Sequence, residues 1–310
     1  MRTIRQLLCA TDLSTGSEPA WAEAQLLARL LHAEILLLHV VPVPSLPPDA
    51  YLPARVYQQV RDAAYQEARD GLAPLVERAA ASGVKARTRI EEGPVAHRIL
   101  AVAREESADL LVMGTHGRTD FGRIILGSVA DRVVRLAPVP VLTVRAQLAG
   151  QGRDLRRLCY ATDFSAAART AWPWAVALAE ASGAEIDLLH VTPDVVPGGD
   201  ATAEAVGEMS MLLHRRAEEA AERFLHEAGL ARQRVHVLIG RGAVGDQVAR
   251  WAEERDADLI VMGAHGWSGI VRWTLGSVAH RVIQVAPCPV LTVGPPEEPA
   301  RPEPSALPAR

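Results

Sequence analysis

Short runs of apolar residues alternate along this chain with longer segments in which apolar residues recur every third or fourth position. The runs are typical of buried strands, and the spacing of three and four is typical of amphipathic helices. Apolar strands that alternate with helices predict a mainly parallel sheet covered by helices on both faces. In the first half, strands are predicted at 4–10, 34–41, 84–91, 109–114 and 140–144, and helices at 17–32, 56–82, 94–107 and 128–137.

The second half of the chain repeats the first. ATDLS at 10–14 returns as ATDFS at 161–165, and ADLLVMG at 108–114 returns as ADLIVMG at 257–263. The copies are complete and in the same order, so the chain is a tandem duplication of one unit. Strands of the second copy are predicted at 156–161, 185–191, 234–240, 258–263 and 289–293.

Two domains and a tail are the predicted organisation. We expect one domain at 1–146 and a second at 154–295, each large enough to bury a core of its own. Residues 296–310 are rich in Pro and Glu and are expected to form a disordered tail.

Composition excludes some classes of function. The formal net charge of the 310 residues is −4, without the basic excess of a nucleic-acid-binding protein, so no nucleic-acid partner is expected. The only lysine, Lys85, follows Val84, so the Gly-Lys-Ser/Thr sequence of a P-loop is absent.

Three cysteines and the hydropathy of the chain bear on its compartment. Cys9, Cys159 and Cys288 have no metal-ligand spacing, and the first two lie in apolar runs that predict buried thiols. No metal site is expected. The N-terminus has no evident signal peptide, and no run of 18 apolar residues predicts a membrane helix. We therefore expect a cytoplasmic protein without a membrane partner.

A glycine-containing stretch follows the fourth predicted strand of each copy. VMGTHGRTDFGRIILGSVADRVV at 112–134 returns as VMGAHGWSGIVRWTLGSVAHRVI at 261–283. Glycines at Gly114 and Gly117 permit positive φ and let backbone N–H groups approach a ligand closely. In open parallel sheets, ligands bind at the carboxyl ends of the strands, where this stretch begins.

Gly127 and Ser128 open the helix that follows. Ser128 is a favourable residue for a helix start, and the helix N-terminus presents unpaired N–H groups and the positive end of its dipole. With no lysine nearby, this pattern predicts a phosphate site built from the backbone.

Asp12 and its copy Asp163 end the first strand of each half. A carboxylate at this place can accept hydrogen bonds from the hydroxyls of a ribose. The alternative is a helix cap, because Asp also favours helix starts. The two histidines between the glycines, His116 and His265, either donate to phosphate or only tolerate the loop conformation.

These motifs resemble the universal stress protein family in its tandem, ATP-binding form. The pattern G-2x-G-9x-G-(S/T) occurs in both copies, flanked by ATD.S, LHV and AP.PVLTV, and the resemblance covers all but the tail. It implies two doubly wound, Rossmann-like parallel sheets of five strands each, in the order 3-2-1-4-5, with ATP between strands one and four. It also implies that 141–144 and 290–293 meet in an intramolecular pseudo-dimer, and it leaves a homodimer open.

The resemblance assigns ligand contacts residue by residue. Adenine and ribose would be held by Ala10, Thr11, Asp12 and Val40 in the first site and by Ala161, Thr162, Asp163 and Val191 in the second. Ribose and phosphates would be lined by Met113, Gly114, His116, Gly117, Gly127, Ser128 and Val129, and by Met262, Gly263, His265, Gly266, Gly276, Ser277 and Val278. Asp120 departs from the family, in which Gly is common at this position, whereas Gly269 keeps that pattern. An extra carboxylate beside the triphosphate would weaken its binding, so the departure favours nucleotide binding at the second site.

The leading functional hypothesis is an ATP-binding regulatory protein of the stress response, with one adenine-nucleotide site per domain and no catalytic residue. One alternative is slow ATP hydrolysis, with Mg²⁺ bridging the phosphates. Another is a scaffold or a module for a different nucleotide or a flavin. Hydrolysis by a Ser–His–Asp set is disfavoured because His39 and His190 lie inside predicted strands.

Overall fold

The computed structural model describes residues 4–42, 53–115, 126–148, 154–195, 202–228, 234–264 and 275–294. All statements below concern these residues. The loop residues His116, Gly117, Asp120, His265, Gly266 and Gly269 and the predicted tail lie outside them.

The strands and helices alternate as the hydrophobic pattern predicts. The first half contains β1 (Gln6–Ala10), α1 (Glu18–Leu31), β2 (Glu34–Val41), α2 (Ala54–Ala81), β3 (Ala86–Glu92), α3 (Val95–Glu105), β4 (Leu110–Gly114), α4 (Ser128–Leu136) and β5 (Val141–Val144). The second half contains β6 (Arg157–Ala161), α5 (Ala166–Arg169), α6 (Trp172–Ser182), β7 (Glu185–Thr192), α7 (Ala203–Glu227), β8 (Val235–Arg241), α8 (Val244–Glu254), β9 (Leu259–Gly263), α9 (Ser277–Val285) and β10 (Val290–Val293).

The strands form one sheet of ten, in the order β3-β2-β1-β4-β5-β10-β9-β6-β7-β8. Each half has the order 3-2-1-4-5 and is parallel, which confirms the predicted α/β class. The segments 141–144 and 290–293 meet as the resemblance implies, because β5 and β10 pair antiparallel with Leu142 opposite Leu291 and join the two five-stranded sheets into one.

Threonine hydroxyls reinforce the β5–β10 junction symmetrically. Thr143 Oγ1 donates to the carbonyl of Val290 at 3.2 Å, and Thr292 Oγ1 donates to the carbonyl of Val141 at 3.2 Å. Both threonines are buried. Each hydroxyl therefore has its hydrogen-bond acceptor on the opposite half of the chain, and a buried polar group needs such a partner.

Both faces of the sheet are covered, so its central strands are apolar throughout. One face packs against α1, α2, α6 and α7, where Trp21 and Trp174 occupy matching places in the two halves. The other face packs against α3, α4, α8 and α9. Consequently the loops at the carboxyl ends of the strands lie between two helical layers.

Buried cysteines belong to this core, as the sequence predicts for Cys9 and Cys159. Cys288 is buried as well, and all three thiols are free. Burial raises the pKa of Cys9 and that of Cys159 to about 12, so neither thiol ionises at neutral pH. Among the described helices, none is both long enough and apolar enough to cross a membrane.

Candidate functional site

Two cavities open at the carboxyl ends of the strands, one in each half. The first has a volume of about 360 Å³ and lies over the ends of β1 and β4, between the N-termini of α3 and α4. The second has a volume of about 280 Å³ and occupies the matching place over β6 and β9. This is the crevice where doubly wound sheets hold their ligands.

Every predicted site residue that the structure describes lines one of these cavities. The first is lined by Ala10, Thr11, Asp12, Val40, Met113, Gly114, Gly127, Ser128 and Val129. The second is lined by Ala161, Thr162, Asp163, Val191, Met262, Gly263, Gly276, Ser277 and Val278. The structure thus gathers residues from distant parts of the sequence around one space in each half.

The loop after β1 is held by its own side chains. Asp12 Oδ1 accepts from the backbone N–H of Ser14 at 3.1 Å and from its hydroxyl at 2.6 Å. Thr11 Oγ1 accepts from the N–H of Leu13 at 3.0 Å. Leu13 has a φ of 61°, a left-handed conformation that costs energy in a residue other than glycine. These three hydrogen bonds, accepted by two side chains, hold that conformation.

The same loop occurs in the second half. Asp163 Oδ1 accepts from the N–H of Ser165 at 2.9 Å, and Phe164 has a φ of 60°. Neither aspartate is a helix cap, because the N-cap of α1 is Ser17 and that of α5 is Ser165. The helix-cap alternative is therefore wrong. Each carboxylate instead closes a turn of the chain at the wall of a cavity.

The helix that follows each glycine-containing stretch begins, in the first half, at residue 128 as predicted. Gly127 and Gly276 are the N-caps, and Ser128 and Ser277 are the first helical residues. The N–H of Gly127 donates to the carbonyl of Thr115 at 2.9 Å, which ties the helix start to the end of β4. The next three N–H groups, at 128–130, have no partner within the helix and belong to residues that line the cavity.

Positive φ does not explain the glycines of the described part of the motif. Gly127 and Gly276 have φ values of −61° and −59°, and Gly114 and Gly263 are not among the positive-φ glycines. Positive φ was predicted for Gly114 and, through the duplication, for Gly263, and the prediction is wrong for both. The remaining reason for glycine here is the absence of a side chain where the backbone borders the cavity.

His39 was missed as a lining residue because its place inside a strand suggested packing alone. It lines the first cavity, and its Nδ1 lies 2.9 Å from the carbonyl oxygen of Thr11. The signal was available, since LHV recurs in both copies and places a polar residue near the end of β2 and β7.

Helices α2 and α3 add lining residues that sequence reasoning also missed. Val95 and Ile99 from α3 make one wall apolar, and Ala64 and Glu67 from α2 border another. Val95 and Ile99 return as Val244 and Val248 in the second cavity. The duplication marks these positions, but only packing shows that they face the cavity.

The electrostatics of the cavities follow from these side chains. Asp12 and Glu67 line the first, Asp163 lines the second, and neither lysine nor arginine lines either cavity in the described part of the chain. An anion would therefore be bound by the helix N-terminus and its backbone N–H groups. No group of three described His, Cys, Asp or Glu side chains is placed to hold a metal ion.

A doubly wound sheet with a crevice over its first and fourth strands, repeated in tandem, defines an α/β protein of the Rossmann-like class. The chain belongs to the universal stress protein family. The model of that family, described as the universal stress protein family, matches residues 3–145 and again 154–294.

Individual relatives agree with this assignment. A universal stress protein of Mycolicibacterium smegmatis is 30% identical over 299 residues, which cover 93% of this chain and 97% of the relative. Universal stress protein MJ0531 of Methanocaldococcus jannaschii is 36% identical over 142 residues, 46% of this chain and 82% of the relative. The crystal structure of a universal stress protein from Archaeoglobus fulgidus superimposes with a TM-score of 0.68 at 25% identity, covering 93% of this chain and 98% of that one.

Proposed function

We propose that each half of this universal stress protein binds one adenine nucleotide, and that the chain responds to nucleotide occupancy as a regulator in the stress response. The observation that carries the proposal is the pair of cavities, each bordered by an aspartate turn on one side and a helix N-terminus on the other. ATP is the proposed ligand, and Mg²⁺ would accompany it as the counter-ion of its phosphates.

The base would occupy the apolar part of each cavity. Val40, Val95 and Ile99 surround this part in the first half. An aromatic base buries its faces against such side chains at roughly 25 cal/mol per Å² of apolar surface. This apolar wall suits a purine ring and disfavours a ligand made of phosphate alone.

The ribose would face the aspartate turn. Asp12 Oδ1 accepts from Ser14, and the carboxylate lines the cavity. A carboxylate accepts from two vicinal hydroxyls more strongly than a neutral group does, because hydrogen bonds to charged groups are worth about 1.5–3 kcal/mol. The same argument applies to Asp163 in the second half.

The phosphates would lie at the N-terminus of α4 or α9. Ser128 and Ser277 are exposed there, and among the described residues their hydroxyls have no hydrogen-bond partner. A helix N-terminus contributes about 0.3–1 kcal/mol to binding an anion, and its N–H groups add direct hydrogen bonds. This arrangement needs no lysine.

We further propose that 1–146 and 154–295 are the two binding units, and that they act as a pseudo-dimer. The antiparallel pairing of β5 with β10 supports this proposal, because it joins the two units through a continuous sheet. A change at one cavity can then reach the other through strands β4, β5, β10 and β9, which are neighbours in the sheet.

Equilibrium dialysis with radiolabelled ATP tests the proposal. The purified chain is expected to bind two nucleotides. Ser128→Glu and Ser277→Glu each place a carboxylate where a phosphate would bind, at an exposed helix start that tolerates Glu. Each variant should bind one nucleotide, and the double variant none. Ser128→Gln and Ser277→Gln are the neutral controls, because Gln has the shape of Glu without its charge. Absence of binding to the parent chain at millimolar ATP would refute the proposal.

A further inference from the structure

The two halves carry opposite charges at duplicated positions on α2 and α7 and at the ends of β3 and β8. Glu67 lines the first cavity from α2, and the duplicated position on α7 is Arg216. Glu92 ends β3, and the duplicated position at the end of β8 is Arg241. Both changes run in the same direction, from acidic in the first half to basic in the second.

The ends of β3 and β8 lie one strand away from their cavities. Glu92 is the register partner of Val41, which lines the first cavity. Arg241 is the register partner of Thr192, which follows the cavity residue Val191. Neighbouring strands are about 4.8 Å apart, so both charges lie within a screening length of the cavity mouth.

The helical positions are matched in the same way. Glu67 precedes Ala68, and Arg216 precedes Ala217; both alanines are buried, so α2 and α7 turn the same face to the sheet. The charged residues that precede them are exposed. Glu67 and Arg216 therefore project from equivalent points of the two helices.

We call the charged groups at these places the first rim and the second rim. The first rim consists of Asp12, Glu67 and Glu92, and the second of Asp163, Asp194, Arg216 and Arg241. Arg241 Nε donates to Asp194 Oδ1 at 3.1 Å, so one of the two basic charges is paired. The first rim thus contains three carboxylates, whereas the second contains two carboxylates and two guanidinium groups.

Other charges near the first cavity do not reverse this difference. Arg98 donates to Glu91, and the pair is neutral as a unit. Tyr57 donates its hydroxyl to Glu92, which leaves the charge of that carboxylate in place. The first turn of α4 contains Asp131, whereas its duplicated position in α9 is His280. Asp131 is paired with Arg135 at 2.8 Å, and Asp246 in the first turn of α8 is paired with Arg281 at 2.7 Å, so both pairs are neutral as units and leave the difference between the rims in place.

We propose that the two sites select nucleotides of different charge, the second site preferring a nucleoside triphosphate and the first a nucleotide with fewer phosphates, such as a monophosphate. This inference rests on the proposed nucleotide binding in both halves. Reversing one charge at about 10 Å in water changes the interaction with one phosphate charge by roughly fourfold. Because ATP carries more phosphate charge than AMP, two reversals change the preference by about tenfold or more at low ionic strength.

The test measures each site alone. Ser277→Glu leaves the first site to bind, and Ser128→Glu leaves the second. Isothermal titration with ATP and with AMP at low salt gives the ratio of the two Kd values for each variant. We expect the ratio to favour ATP at the second site by at least about tenfold more than at the first, and the difference to shrink in 0.5 M salt as the charges are screened.

Charge exchange identifies the residues responsible. In the Ser277→Glu chain, Glu67→Arg with Glu92→Arg should move the first site about tenfold towards ATP. In the Ser128→Glu chain, Arg216→Glu with Arg241→Glu should move the second site by a similar factor towards AMP. Glu77→Arg is the matched control, since it makes the same charge change on α2 about 15 Å further along the helix.

Glu92→Arg also removes the hydrogen bond from Tyr57. The single exchange Glu67→Arg, at an exposed position, leaves that hydrogen bond in place and should give about half of the shift in the ATP-to-AMP ratio on a logarithmic scale. Equal ATP-to-AMP ratios at the two sites, or exchanges that shift the ratio no more than Glu77→Arg does, would overturn this inference and leave the proposed nucleotide binding intact. No nucleotide bound to the parent chain would overturn both.

Discussion

His39 Nδ1 lies 2.9 Å from the carbonyl oxygen of Thr11, and this hydrogen bond joins β2 to the loop that follows β1. Because a carbonyl oxygen only accepts, Nδ1 carries the hydrogen. The duplicated pair, His190 and Thr162, has the same distance of 2.9 Å. The imidazole therefore acts as a brace for the loop that holds the aspartate turn.

Replacing this brace should weaken the loop. We expect His39→Ala to lower the free energy of unfolding by about 1 kcal/mol, the net worth of one hydrogen bond, and to weaken nucleotide binding at the first site several-fold. Urea denaturation and titration of the Ser277→Glu background measure the two effects. His97→Ala, at an exposed position of α3, should change stability by less than about 0.5 kcal/mol. Equal effects of the two substitutions would contradict the assignment.

The two roles of Asp12 can be separated. Asn keeps an Oδ1 that accepts from Ser14, whereas Ala loses it. We therefore expect Asp12→Asn to retain the stability of the parent chain and Asp12→Ala to lose about 1 kcal/mol. In both variants the preference of the first site for ATP over 2′-deoxy-ATP should fall about tenfold, because the charged acceptor for the ribose hydroxyls is gone. A preference unchanged in Asp12→Asn would show that the carboxylate has only the structural role.

The threonine pair at the sheet junction should couple the two halves. Thr143→Val and Thr292→Val keep the side-chain shape and remove the donors to the carbonyls of Val290 and Val141. Each is expected to cost about 1 kcal/mol of unfolding free energy. Thr88→Val in the exposed part of β3 is the control and should be neutral. Unchanged stability in both junction variants would mean that the junction contributes little.

Glu23 on α1 predicts a dependence of stability on pH. Burial, followed by the nearby charge of Asp258, raises the pKa of this carboxyl to about 7, from a reference value of 4.5. The folded state therefore holds a proton that the unfolded chain releases. The stabilising effect is complete below pH 4.5 and is lost as the pH rises to 7.

Replacing Glu23 by Gln should abolish this dependence. Because the side chain is only partly buried, we expect Glu23→Gln to stabilise the protein at pH 8 by on the order of 2 kcal/mol and to be nearly neutral at pH 4.5. Denaturation at the two pH values measures the difference. The exposed substitution Glu253→Gln on α8 is the control. A gain at pH 4.5 as large as that at pH 8 would contradict the titration.

The bounds of strands and helices were predictable from the sequence wherever the local hydrophobic pattern determines them. The predicted strand 34–41 matches β2 (Glu34–Val41), and the predicted helix 56–82 matches α2 (Ala54–Ala81) within two residues at each end. Apolar periodicity persists over these lengths, so propensity and burial agree. The predicted helix 128–137 likewise begins at the first residue of α4, Ser128, which Gly127 precedes as the N-cap.

By itself, the sequence determined the duplication, the α/β class, the order of elements and the residues that end the strands at each cavity, because these follow from periodicity and from motifs written twice. Only the tertiary structure decided that β5 and β10 pair with Leu142 opposite Leu291, that His39 braces the aspartate turn, and that Glu67 lines the first cavity. These relationships join residues far apart in the chain. Packing of the two helical layers on the sheet brings them together, and no local pattern encodes such distances.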